Sequence, residues 1–160
     1  FSGNPSRFPH IIDWKYETPL HVYTEPVEGV DYSKIHMEGW RTKQELLLEL
    51  SKGGFGLVWD GDSAETCSGV FGEYLRYNNS HKASLYLASG FPLVVWKQSA
   101  LSHFVLENGC GIAVESLHDL KETIDNLSDA DYQDLVDNTK RVGQEIRDGH
   151  YLKTALKRLA

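Results

Sequence analysis

Long apolar runs are missing from this chain. None approaches the roughly 18 residues a helix needs to cross a bilayer, so no membrane span is expected. Positive charge is also in short supply: 16 Lys and Arg stand against 23 Asp and Glu, for a net charge of −7. A nucleic-acid groove normally needs a basic face, and this balance argues against one. Cysteine is scarce, with only Cys67 and Cys110, and their spacing is not that of metal ligands. Two reduced thiols in a cytoplasmic protein is the expectation, ahead of a disulfide. No CxxC, HExxH or Walker lysine pattern occurs, and the seven histidines (His10, His21, His36, His81, His103, His118 and His150) are scattered without i,i+4 pairing. Neither a metal site nor a cofactor is expected. A secretory signal pattern is lacking too, and the first residue is Phe1 rather than Met, so the chain reads as part of something longer.

What is present is enough for one globular domain: 160 residues, 41% of them hydrophobic. The stretch around which it is organised is YNNSHKASLYLASGFPLVVW, Tyr77 to Trp96. Asn79 or Ser80 can cap a helix, because a short oxygen-bearing side chain accepts from the free N–H groups of a first turn. Leu85, Leu87 and Ala88 then supply an apolar stripe, and Ser89-Gly90 a stop at which glycine takes positive φ. Leu93 to Trp96 is a short apolar run of the kind found in parallel strands covered on both faces.

The rest of the chain alternates in the same way. Phe1-Ser2 reads as the tail of a strand, Gly3-Asn4-Pro5 as a turn, and Ser6 as the cap of a helix through Trp14. Leu20–Thr24 and Lys34–Met37 read as strands. Thr42 caps a helix through Leu50, ended by Gly53-Gly54, and Phe55–Trp59 is a buried strand. Asp60 to about Asn78 is a long polar loop, and such loops are uncommon in compact domains unless they have work to do. Ser99 starts a helix closed by Asn108-Gly109, and Gly111–Val114 is a strand. Ser116 with Asp119, and then Ser128, cap two further helices. His150–Ala160 is an amphipathic helix. This order predicts α/β architecture, a Rossmann-like parallel sheet of about six strands with helices on both faces. GGFG at Gly53–Gly56 precedes its strand, so it is no dinucleotide fingerprint, which must follow one.

In such a sheet the ligand sits at the carboxyl ends of the strands, within reach of Gly3–Arg7, Met37–Arg41, Asp60–Lys82 and Lys97–Ser99. Lys82 stands in a first helical turn, where the dipole disfavours a cation unless it serves an anion that the helix also attracts. It reads either as a phosphate ligand or as a solvated helix lysine. Arg7 has a fork suited to phosphate oxygens, or to a surface ion pair. Trp40 can stack on a flat base or pack on the helix that follows it.

Several motifs, in order, resemble one bacterial family: GNPSRF at Gly3–Phe8, Trp14-Lys15-Tyr16, GGFGLVW at Gly53–Trp59, ASGFPLVV at Ala88–Val95 and FVLENGCGIAV at Phe104–Val114. The chain is similar to the C-terminal nucleotide-sugar-binding half of GT-B glycosyltransferases. The closest group is the glucosyltransferases that extend glycans on serine-rich-repeat adhesins, enzymes also named galactofuranosyltransferases. The resemblance implies that residues 1–160 are the donor domain and that an N-terminal acceptor domain is absent from this chain. It implies a UDP-sugar donor, transfer of glucose or galactofuranose, and a glycan acceptor, GlcNAc on a serine-rich glycoprotein. It further implies that Lys82 and Arg7 meet the diphosphate, and that Trp40 stands where the family more often has tyrosine. Ser80, His81 and Asn4 complete the expected donor set. Ser80 is equally explained as a cap, and Asn4 as part of a turn. The paired glutamates with which many GT-B enzymes hold ribose and sugar are replaced near Tyr77 and Leu85. No catalytic residue is assigned, and a homo-oligomer is a possible assembly. The competing reading is a non-catalytic assembly or regulatory domain of the same fold.

Overall fold

The computed structural model describes residues 8–50 and 52–159. The predicted strand tail at Phe1-Ser2, the Gly3-Asn4-Pro5 turn and the Ser6 cap lie outside these residues. Helix α1 (Pro9–Ile12) opens with proline, whose missing N–H is no loss in a first turn. Then come β1 (His21–Val22), β2 (His36–Met37), α2 (Lys43–Leu50) and β3 (Gly56–Val58). They are followed by α3 (Gly69–Tyr74), α4 (His81–Ala88), β4 (Leu93–Trp96), α5 (Ala100–Glu107) and β5 (Gly111–Val114). A 3-10 turn (Leu117–Asp119) leads into α6 (Leu120–Asp125), α7 (Asp129–Arg147) and α8 (His150–Leu159).

The caps read from sequence are in place. The Glu45 carboxylate accepts from the Thr42 amide at 2.8 Å and its hydroxyl at 2.7 Å, ahead of α2. Ser116 with Asp119, and Ser128 with Asp131, form reciprocal capping boxes at the 3-10 turn and at α7.

Strands β3, β4 and β5 form a parallel sheet in that order, with Gly56 opposite Leu93 and Leu93 opposite Gly111. β1 pairs in parallel with β2, His21 opposite His36. All four residues of β4 are buried, at about 1.5–3 kcal/mol for each large apolar side chain taken from water. Alternation sends Leu57, Val94, Trp96 and Ile112 into one core with Ile11, Trp14, Leu117 and Leu120. Val58, Leu93 and Val95 enter a second core with Leu46, Ala83, Tyr86, Leu101, Val105 and Val142. Helices therefore cover both faces, as expected.

The sheet differs from the expectation. Among the described residues there are five strands in two sheets, not one sheet of about six. β1 and β3 do not pair, because an apolar slot of about 470 Å³ separates them, lined by Leu20, His21 and Tyr23 on one side and Phe55, Gly56 and Leu57 on the other. The predicted polar loop from Asp60 contains α3, which was not expected. Of its residues only Gly72 is buried, so no apolar period announced it. Helix α4 buries Ala83, Tyr86 and Leu87; of the predicted stripe of Leu85, Leu87 and Ala88, Leu87 is buried and Leu85 packs partly buried against the second core. α8 forms as predicted, yet it buries none of its residues.

Two glycines set close approaches. A Cβ on Gly56 would fall 2.5 Å from the Tyr86 ring, so α4 lies directly on the backbone of β3. A Cβ on Gly143 would fall 2.3 Å from the Leu87 carbonyl oxygen, which lets α7 cross close over α4. Among the described residues no helix is long and apolar enough to cross a membrane. Both cysteines are free and buried, and burial pushes the Cys67 thiol up to about 12.

Candidate functional site

At the carboxyl end of β3 the chain passes through Trp59 into Asp60 and a tight turn. The turn is held by the Asp62 amide donating to the Ser68 carbonyl (3.1 Å) and the Trp59 indole N–H donating to the Ser63 carbonyl (3.0 Å). Gly61 and Gly69 take φ of 120° and 74° there, values that other residues rarely adopt. The Asp62 carboxylate fills the space beside Gly69, where a Cβ would lie 1.9 Å from its Oδ2. The amino terminus of α4 faces this turn.

Ser80 caps α4, its Oγ accepting from the Lys82 amide at 3.3 Å. Lys82 Nζ bonds Asp60 Oδ1 at 2.8 Å, with 20% and 18% of the two side chains exposed. The same ammonium lies 5.8 Å from the centre of the Phe8 ring. Three segments distant in sequence thus converge: the end of β3, the first turn of α4 and the entry to α1. The cation is largely withdrawn from water, where its interactions with an anion are strongest.

His10, on α1, belongs to the same neighbourhood. Burial holds its imidazole below the usual histidine range, opposed by the negative charges of Asp62 and Asp60. Both ring nitrogens are buried without a hydrogen-bond partner among the described residues. A neutral imidazole offers one donor and one acceptor, and here neither is used. Sequence reasoning passed over His10, Asp60 and Asp62. The aspartates carried a signal, two carboxylates directly after a buried strand at the expected rim, whereas His10 carried none.

The other predicted site residues are distributed as follows. Arg7 and Asn4 lie outside the described residues. Trp40 follows the turn at Gly39 (φ 73°) after β2 and is 60% exposed. Its carbonyl accepts from Arg41 Nη1 at 3.1 Å. His81 is exposed beside Lys82. The structure therefore brings Ser80, His81 and Lys82 together at the mouth of α4 and places Trp40 at the carboxyl end of a different strand. Among the described residues no group of three or more His, Cys, Asp or Glu is arranged to hold a metal ion.

A helix amino terminus, a partly desolvated ammonium and an aromatic at the strand rim are the parts needed to hold a nucleoside diphosphate. Comparisons with known proteins place the chain among relatives. The chain is 36% identical over 159 residues to Glucosyltransferase 3 of Streptococcus gordonii, covering 98% of this chain and 46% of that protein. It is 32% identical over 157 residues to Glucosyltransferase 3 of Streptococcus parasanguinis, covering 98% of this chain and 45% of that protein. It is 46% identical over 102 residues to the beta-1,6-galactofuranosyltransferase WbbI of Escherichia coli, covering 64% of this chain and 31% of that protein. The chain thus spans less than half the length of these relatives. The model of the Glucosyltransferase 3-like C-terminal domain matches residues 1–159. With the match running almost end to end, this chain belongs to the family of Glucosyltransferase 3-like C-terminal domains.

Proposed function

We propose that this chain is the donor-binding half of a retaining GT-B glycosyltransferase that moves glucose from a UDP-sugar to a glycan acceptor, GlcNAc on a serine-rich glycoprotein. One observation carries the reading: Lys82 stands at the mouth of α4, on the strand rim, in a chain whose family is named for glucosyl transfer. When the bond from the anomeric carbon to the diphosphate breaks, negative charge develops on the leaving UDP. Lys82, Arg7 and the α4 dipole stabilise it in place of a divalent metal. Trp40 offers its exposed ring to the uracil, and Ser80, His81 and Asn4 complete the proposed donor set. The acceptor and the group that activates it belong to an N-terminal domain outside this chain. On its own, this half binds nucleotide and transfers little sugar, because the acceptor must be oriented beside the donor. The setting is cytoplasmic, and assembly into a homo-oligomer engages the exposed leucines of α8, Leu152, Leu156 and Leu159. Galactofuranose is the second reading for the sugar, favoured by the 46% identity to a galactofuranosyltransferase.

Calorimetric titration with UDP, GDP, ADP and TDP tests the proposal. UDP is expected to bind in the micromolar to millimolar range and ahead of the others. A chain that binds none of the four is the non-catalytic assembly or regulatory domain of the competing reading.

A further inference from the structure

We propose that the exposed aromatic side of α3 is one wall of the acceptor subsite, against which an uncharged hexopyranose ring lies flat on Phe71, Tyr74 and Tyr77. The inference rests on the glycosyl-transfer reading and adds to it a place on this half for the second substrate.

Large apolar side chains of α3 and the turn after it face water: Val70 is 86% exposed, Phe71 57%, Tyr74 59% and Tyr77 85%. The Tyr77 and Asn78 amides donate to the Tyr74 carbonyl at 3.1 and 3.0 Å, so the helical path runs on past Tyr74. Positions 70, 74 and 77 then share one stripe, with Phe71 beside it. The opposite side is fastened down. Leu75 is buried, and its carbonyl accepts from the Ala100 amide at 2.9 Å. The Arg76 guanidinium lies 4.5 Å from the centre of the Trp96 ring and donates to Glu73 at 2.8 Å. A Cβ on Gly72 would fall 2.3 Å from the Cys67 carbonyl carbon, so α3 rests directly on the backbone of its own loop. The rings are therefore presented from a fixed support, as a binding surface requires. The loop that carries them is closed by the ion pair between Asp60 and Lys82, which holds α3 at the strand rim beside the proposed diphosphate site.

Charge and area decide what covers it. Residues 60–81 hold four carboxylates (Asp60, Asp62, Glu65 and Glu73) against one cation, Arg76. A surface of that sign repels anionic lipid and nucleic acid. An aromatic side chain buries about 150–250 Å², so three partly exposed rings with Val70 offer about 500 Å², short of the about 800 Å² per partner of a standard protein interface. An uncharged polyol with one flat C–H face suits both limits. Its ring covers the aromatic faces, and its hydroxyls meet the phenols of Tyr74 and Tyr77, each a donor and an acceptor.

Saturation-transfer NMR on the full-length protein, with the methyl β-glycosides of glucose and N-acetylglucosamine as probes, tests this. Wild type is expected to saturate at least one of the two, most strongly at the ring protons of a single face. Phe71→Ala and Tyr77→Ala are each expected to weaken that glycoside about 3- to 10-fold, the loss of one stacked ring. Tyr77→Phe keeps the ring and is expected to retain the binding. No transfer to either glycoside from wild type, or alanine variants that bind as wild type does, overturns the proposal. Alanine variants that lower the unfolding temperature of the full-length protein while glycoside binding is kept mark α3 as a contact with the other half or with a second copy, which overturns it too. A UDP titration of the same samples separates the two readings. UDP bound by every variant while the glycoside is weakened supports both. A glycoside weakened by Tyr77→Ala in a protein whose wild type binds no UDP sinks the donor reading alone.

Discussion

Replacing Lys82 by alanine, Asp60 by asparagine, and then both, separates a phosphate ligand from a structural strut. In the unliganded protein the two groups satisfy each other at 2.8 Å, each about one-fifth exposed. Exposed ion pairs contribute about 0–1 kcal/mol, whereas breaking a buried pair costs about 3–5 kcal/mol. This pair lies between those limits, so Lys82→Ala is expected to lower stability by about 1–3 kcal/mol. Part of the loss is offset, since removing a cation from a helix amino terminus returns about 0.3–1 kcal/mol. Asp60→Asn is expected to cost less, because a lysine side chain can carry its head to water. The double variant is expected to be no less stable than Lys82→Ala alone. Nucleotide binding runs differently. Lys82→Ala removes a charge-assisted contact of about 1–3 kcal/mol, roughly a 5- to 150-fold loss of UDP affinity. Asp60→Asn removes an anion that shares the ammonium with the diphosphate. Two charges about 5 Å apart at an effective dielectric near 20 repel by about 3 kcal/mol before salt screening. UDP is therefore expected to bind about tenfold more tightly to Asp60→Asn. Urea denaturation gives the stabilities and calorimetry the affinities. If both variants lose stability while UDP affinity stays at the wild-type value, Lys82 is a strut and the site assignment fails. Weaker binding to Asp60→Asn refutes the competition between carboxylate and phosphate.

Trp40→Ala is expected to leave stability within about 0.5 kcal/mol, since the ring is largely exposed. It should weaken UDP by about 1–3 kcal/mol if the ring stacks on uracil, and a titration with the same affinity as wild type removes that role. Gly56→Ala is expected to cost about 1–3 kcal/mol in urea unfolding through overpacking against Tyr86. A neutral result means that α4 can move off the strand. The lowered pKa of His10 makes the folded protein bind its proton less readily than the unfolded chain. Stability is then expected to fall as pH drops below 6.5, levelling off once the pH passes below the folded-state pKa. Urea midpoints from neutral to acid pH, compared between wild type and His10→Phe, check this. A wild type that gains stability relative to the variant on acidification contradicts it.

Local signals made β4, β5 and α7 legible. An apolar run such as Leu93–Trp96 is buried on both faces, and Ser128 with Asp131 marks a helix start by chemistry confined to four residues. The Thr42–Glu45 and Ser116–Asp119 boxes belong to the same class. α3 failed that test because its larger side chains, Val70, Phe71 and Tyr74, are exposed. It is placed by Gly61, Gly69 and Gly72, each packed tightly against the turn that begins at Asp60. Glycine packing of this kind depends on a tertiary partner and leaves no period in the sequence.

The site divides along the same line. Ser80 as a cap and Lys82 in the first turn are local facts of one helix, and both were readable from Asn78–Lys82. That Asp60 grips Lys82 is a fact about two elements separated by α3, and no spacing encodes it. The slot beside β3 shows the same limit. In Gly56–Val58 all three residues are buried, and among the described residues this strand pairs with β4. Leu57 is buried and lines the apolar slot beside it. The order of strands and helices predicted one sheet of about six from composition and alternation alone. Joining parallel strands into one sheet is decided by contacts between elements distant in sequence, and no local period encodes it: the described residues form two parallel sheets beside an apolar slot.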